Sequence, residues 1–423
     1  MRRSLLLPLA VMLVSADAGA GEIPIRGLGI RVSSLGDLDG DGKPEFAAAS
    51  RSSRAEVVVV SAATGKELWR VGARDAVAVP DQDGDGGPDV AIAVVGNRVD
   101  AWVSICSGKT GAYLTTLSPK GGAADRFSGE DRPYTESVAL LDDADGDGKP
   151  DLVVVRAHAS TKKPGPGIAG LLLPWCDDAA AFVISLDGKV VAELDAKFDA
   201  DWRSPLAVPA GDADGDGRTD VFVRTDAGRG KLPLELRAIA KGTLLVGFKG
   251  DAWSMPDAIA VLGDVDGDAK ADFLFGDGSG KRGSADATGA VRVISGRDGR
   301  EIRSVKGAKE GDHLGESVAA LPDVDGDGVP DFVAGSPYAE TRKSMQMAGA
   351  VTAYSGKTGK VLWTAKGDAA SGCLGAAVAA LPDVDGDGAA DVVAGEPGFG
   401  PDDKGRVLVL SGKTGKTLLT YPK

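Results

Sequence analysis

One nine-residue string recurs seven times along the chain: DLDGDGKPE from Asp37, DQDGDGGPD from Asp81, DADGDGKPD from Asp143, DADGDGRTD from Asp212, DVDGDAKAD from Asp264, DVDGDGVPD from Asp323 and DVDGDGAAD from Asp383. A motif repeated at this frequency makes the chain an array of one supersecondary unit. Four carboxylates are crowded into each copy. A hard cation such as Ca²⁺ takes roughly six to eight oxygen ligands, and a tight loop offers carboxylates at positions 1, 3 and 5 and a backbone carbonyl at position 7. Position 9 closes the shell. Glycine at position 6 lets the backbone turn where a Cβ would obstruct it.

The expected ligand sets follow directly from this spacing. They are Asp37, Asp39, Asp41, Lys43 and Glu45; Asp81, Asp83, Asp85, Gly87 and Asp89; Asp143, Asp145, Asp147, Lys149 and Asp151; Asp212, Asp214, Asp216, Arg218 and Asp220. The remaining three are Asp264, Asp266, Asp268, Lys270 and Asp272; Asp323, Asp325, Asp327, Val329 and Asp331; Asp383, Asp385, Asp387, Ala389 and Asp391. In each set the position-7 residue contributes only its carbonyl. Ala269 replaces the position-6 glycine in the fifth loop, which is expected to be the weakest site, and Glu45 lengthens position 9 of the first.

Helical calcium hands share the opening spacing but need an acid at position 12 and a helix on each side. Here position 12 reads Ala48, Ile92, Val154, Val223, Phe275, Ala334 and Ala394, inside apolar runs such as FAAAS and LVVVR that have the character of strands. Helical hands are therefore excluded. An acidic turn without metal would leave four carboxylates crowded together seven times with nothing to neutralise them.

Charge supports that reading. The chain carries −14, and removal of residues 1–20, which hold Arg2, Arg3 and Asp17, would leave −15. Up to seven structural Ca²⁺ ions would bring that close to neutrality. Such acidity excludes a generic nucleic-acid surface, and 43% hydrophobic content argues against disorder.

Loop starts are separated by 44, 62, 69, 52, 59 and 60 residues, as one unit per repeat with insertions would give. An alternating stretch such as ESVAAL precedes each loop and an apolar stretch follows it. A third strand then ends in a recurrent turn, SAATG from Ser61, SGKTG from Ser107, SLDG from Ser185, SGRDG from Ser295 and SGKTG from Ser355 and Ser411, leading into a fourth strand. Four antiparallel strands repeated seven times predict an all-β, seven-bladed β-propeller with an acidic loop in every blade. The expected blades span 27–72, 73–121, 122–198, 199–250, 251–308, 309–368 and 369–423.

Met1, Arg2 and Arg3 followed by an apolar run from Leu5 to Val14 and by Ala18-Gly19-Ala20 read as a signal peptide over 1–20. The run is too short to span a membrane. The expected product is a secreted protein without a membrane span, extracellular or periplasmic. Three cysteines cannot all pair internally, and Cys106 and Cys176, in neighbouring repeats, are the candidate pair.

The repeats resemble the FG-GAP and related VCBS-type modules, of which the integrin alpha-chain propeller is the best-known example. The resemblance is strongest in HLGESVAALPDVDGDGVPDFVAGSPYAE from His313 and CLGAAVAALPDVDGDGAADVVAGEP from Cys373. Leu314 and Leu374 stand where the family has an aromatic before glycine, and Gly335-Ser336-Pro337 and Gly395-Glu396-Pro397 complete the motif. The first five units keep the acidic loop but lose most of this flanking signature. The resemblance implies partner binding on the face opposite the metal hairpins.

On that face the longest expected connection runs from Ala157 to Ala179 and contains Trp175. With Trp202, Trp253, Tyr338 and Arg342 it makes up the candidate partner-binding set, since Trp, Tyr and Arg are the usual anchors of binding surfaces. TGKELW at Thr64 and TGKVLW at Thr358 are similar to the turns of tryptophan-docking dehydrogenase propellers, although two blades of seven favour Trp69 and Trp363 as packing residues. The chain has just two histidines, His158 and His313, and no nucleophile elbow, HExxH motif or phosphate loop. The expected function is therefore recognition or adhesion toward an extracellular protein or glycan. The alternatives are a polysaccharide lyase or hydrolase, a quinone-dependent dehydrogenase, or a structural surface protein on the same scaffold.

Overall fold

The computed structural model describes residues 27–51, 55–94, 101–120, 133–159, 176–194, 207–224, 234–239, 243–248, 256–278, 288–340, 346–401 and 404–422. Within them, 28 strands form seven four-stranded sheets, each built from four strands consecutive in sequence. All pairings inside the sheets are antiparallel, as in β1 (Arg31–Gly36), β2 (Glu45–Ala49), β3 (Val57–Ser61) and β4 (Glu67–Val71) of blade 1. The first strands of successive blades are β5 (Ala73–Val79), β9 (Pro133–Leu141), β13 (Ala207–Gly211), β17 (Ala258–Gly263), β21 (Ser317–Leu321) and β25 (Ala377–Leu381). Each is adjacent to the next, and β25 lies beside β1, so the sheets close into a ring. The expected seven-bladed propeller is the structure found.

Burial explains the hydropathy of each strand. Second and third strands are covered on both faces by neighbouring blades, so EFAAA and VVVVS are buried throughout. Fourth strands are the outer edges, and YLTTL of β8 (Tyr113–Leu117) is exposed at every residue but the last. The core is accordingly layered between blades. One cluster joins Val57 and Val59 of blade 1 to Val90 and Ile92 of blade 2, and another joins Trp102 and Ile105 of blade 2 to Val154 and Phe182 of blade 3.

The ring closes without strand exchange among the described residues. Blade 7 comprises β25, β26 (Asp391–Glu396), β27 (Arg406–Leu410) and β28 (Thr417–Tyr421) from the C-terminal end alone. Leu28 donates its N–H to the Lys404 carbonyl at 2.8 Å and forms a parallel bridge with Gly405. Identical bridges join Gly289 to Leu314 between blades 5 and 6, and Gly349 to Leu374 between blades 6 and 7. Residues 21–26, considered from the sequence as an extra outer strand, lie outside the described residues.

These three seams share a glycine contact. A Cβ on Gly276, Gly335 or Gly395 would sit 2.1, 1.9 or 1.8 Å from the carbonyl oxygen of Gly315, Gly375 or Gly29 in the next blade. The Leu-Gly pair and the later Gly of the repeat motif are thus the two halves of one backbone-to-backbone contact. Leu28-Gly29 stands nine residues before Asp37, as Leu314-Gly315 does before Asp323. Blade 1 therefore retains the Leu-Gly half of the flanking signature, with Ala49 where the later glycine would stand.

Blades 1 to 3 meet differently. Arg31 at the start of β1 reaches past blade 2 to Glu136 of β9, with Nη1 donating to the Glu136 carbonyl at 2.6 Å and Nη2 to Oε1 at 2.8 Å. Arg51 also donates to Glu136 Oε1, Arg74 lies 3.4 Å from Oε2, and Asp75 of β5 lies 3.5 Å from Arg31. Blade 3 is also the tallest. Its strands β9, β10 (Asp151–Ala159) and β11 (Cys176–Ser185) hold nine, nine and ten residues, whereas most others hold five or six. Ala157 pairs with Ala179 and His158 with Asp178, so the expected connection from Ala157 to Ala179 is shortened at both ends by strand.

Cys106 is a free, fully buried thiol at the acidic-loop end of blade 2, and Cys176 begins β11 at the opposite end of blade 3. The Cys106–Cys176 bridge considered from the sequence is therefore not formed. Among the described residues no helix is long and apolar enough to cross a membrane.

Candidate metal centres

All seven acidic strings form the hairpin between the first and second strands of a blade, and they share one hydrogen-bond scheme. In blade 1, Asp37 at position 1 accepts from the N–H groups of Gly40 and Gly42 at 2.7 and 2.9 Å, and Asp41 accepts from Lys43 at 2.8 Å. The N–H of position 2, Leu38, donates to Glu45 Oε2 at 2.7 Å. The last contact recurs in every blade, from Gln82 to Asp89, Ala144 to Asp151, Ala213 to Asp220, Val265 to Asp272, Val324 to Asp331 and Val384 to Asp391. Backbone donors thus hold the carboxylates together against their mutual repulsion.

Position 6 shows why glycine is written there. Gly42 has φ +83°, and the fifth loop reaches the same region with Ala269 at φ +66°, its N–H still donating to Asp264 Oδ2 at 2.9 Å. A non-glycine residue in this region costs about 1–2 kcal/mol. The loop is therefore complete but strained.

The oxygen atoms converge. One ligand atom from each of Asp37, Asp39 and Asp41 lies within 4.8 Å of the others, and the same holds for Asp143, Asp145 and Asp151 and for Asp264, Asp266 and Asp272. Two oxygens are left over in a telling way. Glu45 Oε1 and Asp266 Oδ1 are buried and accept no hydrogen bond, as expected of donors shaped for a cation. Burial, followed by the nearby Asp39, Asp41 and Asp37 charges, pushes Glu45 up to about 7. Burial likewise raises Asp151 and Asp220 to about 6. The donor chemistry fits a divalent hard cation at these loops.

The recurrent turns lie on the same face and complete the support. Gly108, Gly296, Gly356 and Gly412, second residues of their turns, donate to the position-9 aspartates Asp89, Asp272, Asp331 and Asp391 at 3.0–3.1 Å. A Cβ on Gly108 would lie 2.0 Å from the Pro88 carbonyl. Blade 1 has Ala62 at this place, and its N–H goes to the Pro44 carbonyl instead. The longer Glu45 is the matching change, and it leaves Oε1 unpaired.

Trp69 and Trp363 dock on these turns in the adjacent blade. Their indole N–H groups donate to the Gly108 and Gly412 carbonyls at 2.7 and 2.6 Å, and their rings cover Gly111 and Gly415. They are packing residues, as their scarcity suggested.

The partner-binding candidates are less accessible to description. Trp175, Trp202, Trp253 and Arg342 lie outside the described residues. Tyr338 follows β22 (Asp331–Ser336) on the face away from the acidic loops, half-buried, with its ring 4.7 Å from that of His313. It is thus partly engaged in packing. The structure also brings forward a group that sequence reading missed, the Arg31, Arg51, Arg74, Asp75 and Glu136 cluster; with Arg31 and Glu136 105 residues apart, no local motif signals it.

Fold and loops together define a class: a seven-bladed propeller with an acidic hairpin at one end of every blade. The FG-GAP repeat family matches residues 314–356 and 374–410. The chain is 31% identical over 161 residues to integrin alpha-PS2 of Drosophila melanogaster, 29% over 162 to integrin alpha-5 of Xenopus laevis and 33% over 136 to integrin alpha-IIb of Homo sapiens. These stretches cover 36%, 36% and 30% of this chain and 11%, 15% and 13% of the relatives, so the chain matches only a small part of their length. Two stretches of the chain thus match FG-GAP repeats, and the chain resembles the integrin alpha-chain N-terminal propeller.

Proposed function

We propose that this propeller is a secreted, calcium-stabilised recognition module, binding a protein or glycan partner on the face opposite its acidic loops. The observation that carries the calcium reading is the convergence of backbone-braced carboxylates with the buried, unbonded Glu45 Oε1 and Asp266 Oδ1. In each loop the position-1, -3, -5 and -9 carboxylates and the position-7 carbonyl would hold the ion. Because a metal that binds the folded form adds to folding free energy, its role here is structural.

The resemblance to integrin alpha chains supports recognition on the other face, as does what the acidic face already contains. There the turns are committed to bracing the loops and receiving Trp69 and Trp363. The opposite face carries the connections that vary most in length, and blade 3 extends beyond its neighbours there. Trp175, Trp202, Trp253, Tyr338 and Arg342 are the proposed contacts. The signal-peptide reading of residues 1–20 supports a mature chain outside the cytoplasm, extracellular or periplasmic.

Titration of demetallated protein with Ca²⁺ tests the first half: at least four bound ions per chain and a higher melting temperature are expected, and fewer ions or an unchanged melting temperature would contradict it. A protein and glycan array with and without EGTA tests the second. Calcium-dependent capture weakened by Trp175→Ala or Trp253→Ala is expected; turnover of a polysaccharide with no capture would replace recognition by catalysis.

A further inference from the structure

The acidic loops are not independent in space. Lys270, at position 7 of the fifth loop, donates from Nζ to the Ala213 carbonyl, position 2 of the fourth loop, at 3.0 Å. Arg218 of the fourth loop reaches the Ala144 carbonyl of the third at 3.5 Å, and Lys43 of the first reaches the Val384 carbonyl of the seventh at 2.7 Å. In these three loops the relation is from position 7 to position 2 of the preceding blade, whereas Lys149 of the third loop makes no such bond to the second among the described residues. Where position 7 has no long polar side chain, at Gly87, Val329 and Ala389, no such bridge can form; a Cβ on Gly87 would nevertheless point at the Leu38 carbonyl 3.0 Å away, which shows the geometry to be common.

The position-2 peptide is clamped from both sides. The Asp214 N–H donates to Asp220 Oδ2 at 3.2 Å while the Ala213 carbonyl of the same peptide unit accepts from Lys270. Asp220 is the position-9 carboxylate of its own loop, and Lys270 belongs to the position that offers a backbone carbonyl in the next. One rigid peptide therefore joins a ligand position of loop four to a ligand position of loop five.

We propose that these position-7 cations couple calcium binding between neighbouring loops, along blades 5, 4 and 3 and from blade 1 to blade 7, while the blade 6 to blade 5 junction is uncoupled. The proposal rests on the calcium reading above. Filling loop five fixes the Lys270 backbone, which aims its ammonium group at Ala213 and so holds Asp220 in place for loop four; by linkage the reverse effect is equal. The ammonium charge also repels an ion in loop four, but it does so whether or not loop five is filled. It lowers affinity without coupling the sites. Repulsion between two bound ions opposes coupling at every junction alike, so the blade 6 to blade 5 junction, with Val329, serves as the reference.

Hydrogen exchange of the 212–220 and 264–272 segments, followed against free Ca²⁺, reads each loop separately. Asp266→Asn disables loop five and also removes its ion pair with Arg300; Asp325→Asn is the lesion at the same position of loop six. Asp266→Asn is expected to raise the calcium midpoint of loop four by about fivefold or more, whereas Asp325→Asn leaves that of loop five unchanged. Introduced into Lys270→Met protein, Asp266→Asn should shift loop four no more than the reference junction does. Should Asp266→Asn perturb the blade, Asp268→Asn provides a second loop-five lesion. Equal shifts at both junctions, or a full shift surviving in Lys270→Met, would overturn the coupling. Loops that gain no protection from calcium in the unmodified protein would instead overturn the calcium reading itself.

Discussion

Two arcs of the ring hold successive blades together with opposite materials. From blade 5 through blades 6 and 7 into blade 1, the contact is backbone on backbone, Gly276 on Gly315, Gly335 on Gly375 and Gly395 on Gly29. From blade 1 into blade 3 it is made by long charged side chains gathered on Glu136. The corresponding first-strand position holds Arg31 in blade 1, Ser317 in blade 6 and Ala377 in blade 7. A glycine seam removes almost nothing charged from water, and its stability comes from closeness. The arginine seam must offset the desolvation of several charges, so it is weak evidence for added stability yet costly to break on one side.

The sharpest way to break the comparison is Glu136→Gln. It removes the carboxylate on which Arg31, Arg51 and Arg74 gather, and a loss of about 3–5 kcal/mol is expected in denaturant unfolding. A loss below about 1 kcal/mol would make the cluster incidental. Gly395→Val comes next, because its Cβ would lie 1.8 Å from the Gly29 carbonyl and the backbone would have to yield. A loss of about 1–3 kcal/mol is expected. Gly335→Val should match it, and a clearly smaller effect at Gly395 would show that the closing seam is looser than an internal one.

Acidity should separate the arcs further. Burial pushes Asp75 up to about 6 despite Arg31 beside it, so its charged form opposes folding; that opposition is relieved as pH falls through about 6 toward its ordinary value. Burial also acts on Glu136, but Arg51, Arg31 and Arg74 outweigh it and hold Glu136 down to about 2, so its contribution is full above its ordinary range and lost below it. Asp75→Asn should therefore melt higher relative to the parent at pH 7 than at pH 5. A constant difference across that range would count against it. The smallest effect is expected at a device both arcs use: Trp69→Phe and Trp363→Phe each forfeit one indole N–H donation, at about 1 kcal/mol apiece.

The blade count was legible because each blade carries a local string whose spacing is set by ligand geometry. Strand order followed from apolar runs and the recurrent turns. What stayed hidden required contacts distant in sequence. Leu28-Gly29 has the right spacing to Asp37, but without its partner Gly395 it looks like any flexible pair. Lys43 reads as a variable loop residue until Val384, 341 positions away, is beside it. The extension of blade 3 was hidden for a different reason: RAHA after LVVV breaks the apolar run, although β10 continues through it.

The junction between blades 7 and 1 has a consequence for how the ring relates to its own chain. Leu28, Gly29 and Gly405 repeat there what Leu314, Gly315 and Gly289 do inside the ring. Among the described residues, the junction of the first and last blades thus uses the same contact as the internal ones. Joined across this seam and opened between two other blades, a circular permutant would have every inter-blade contact of the parent still to make.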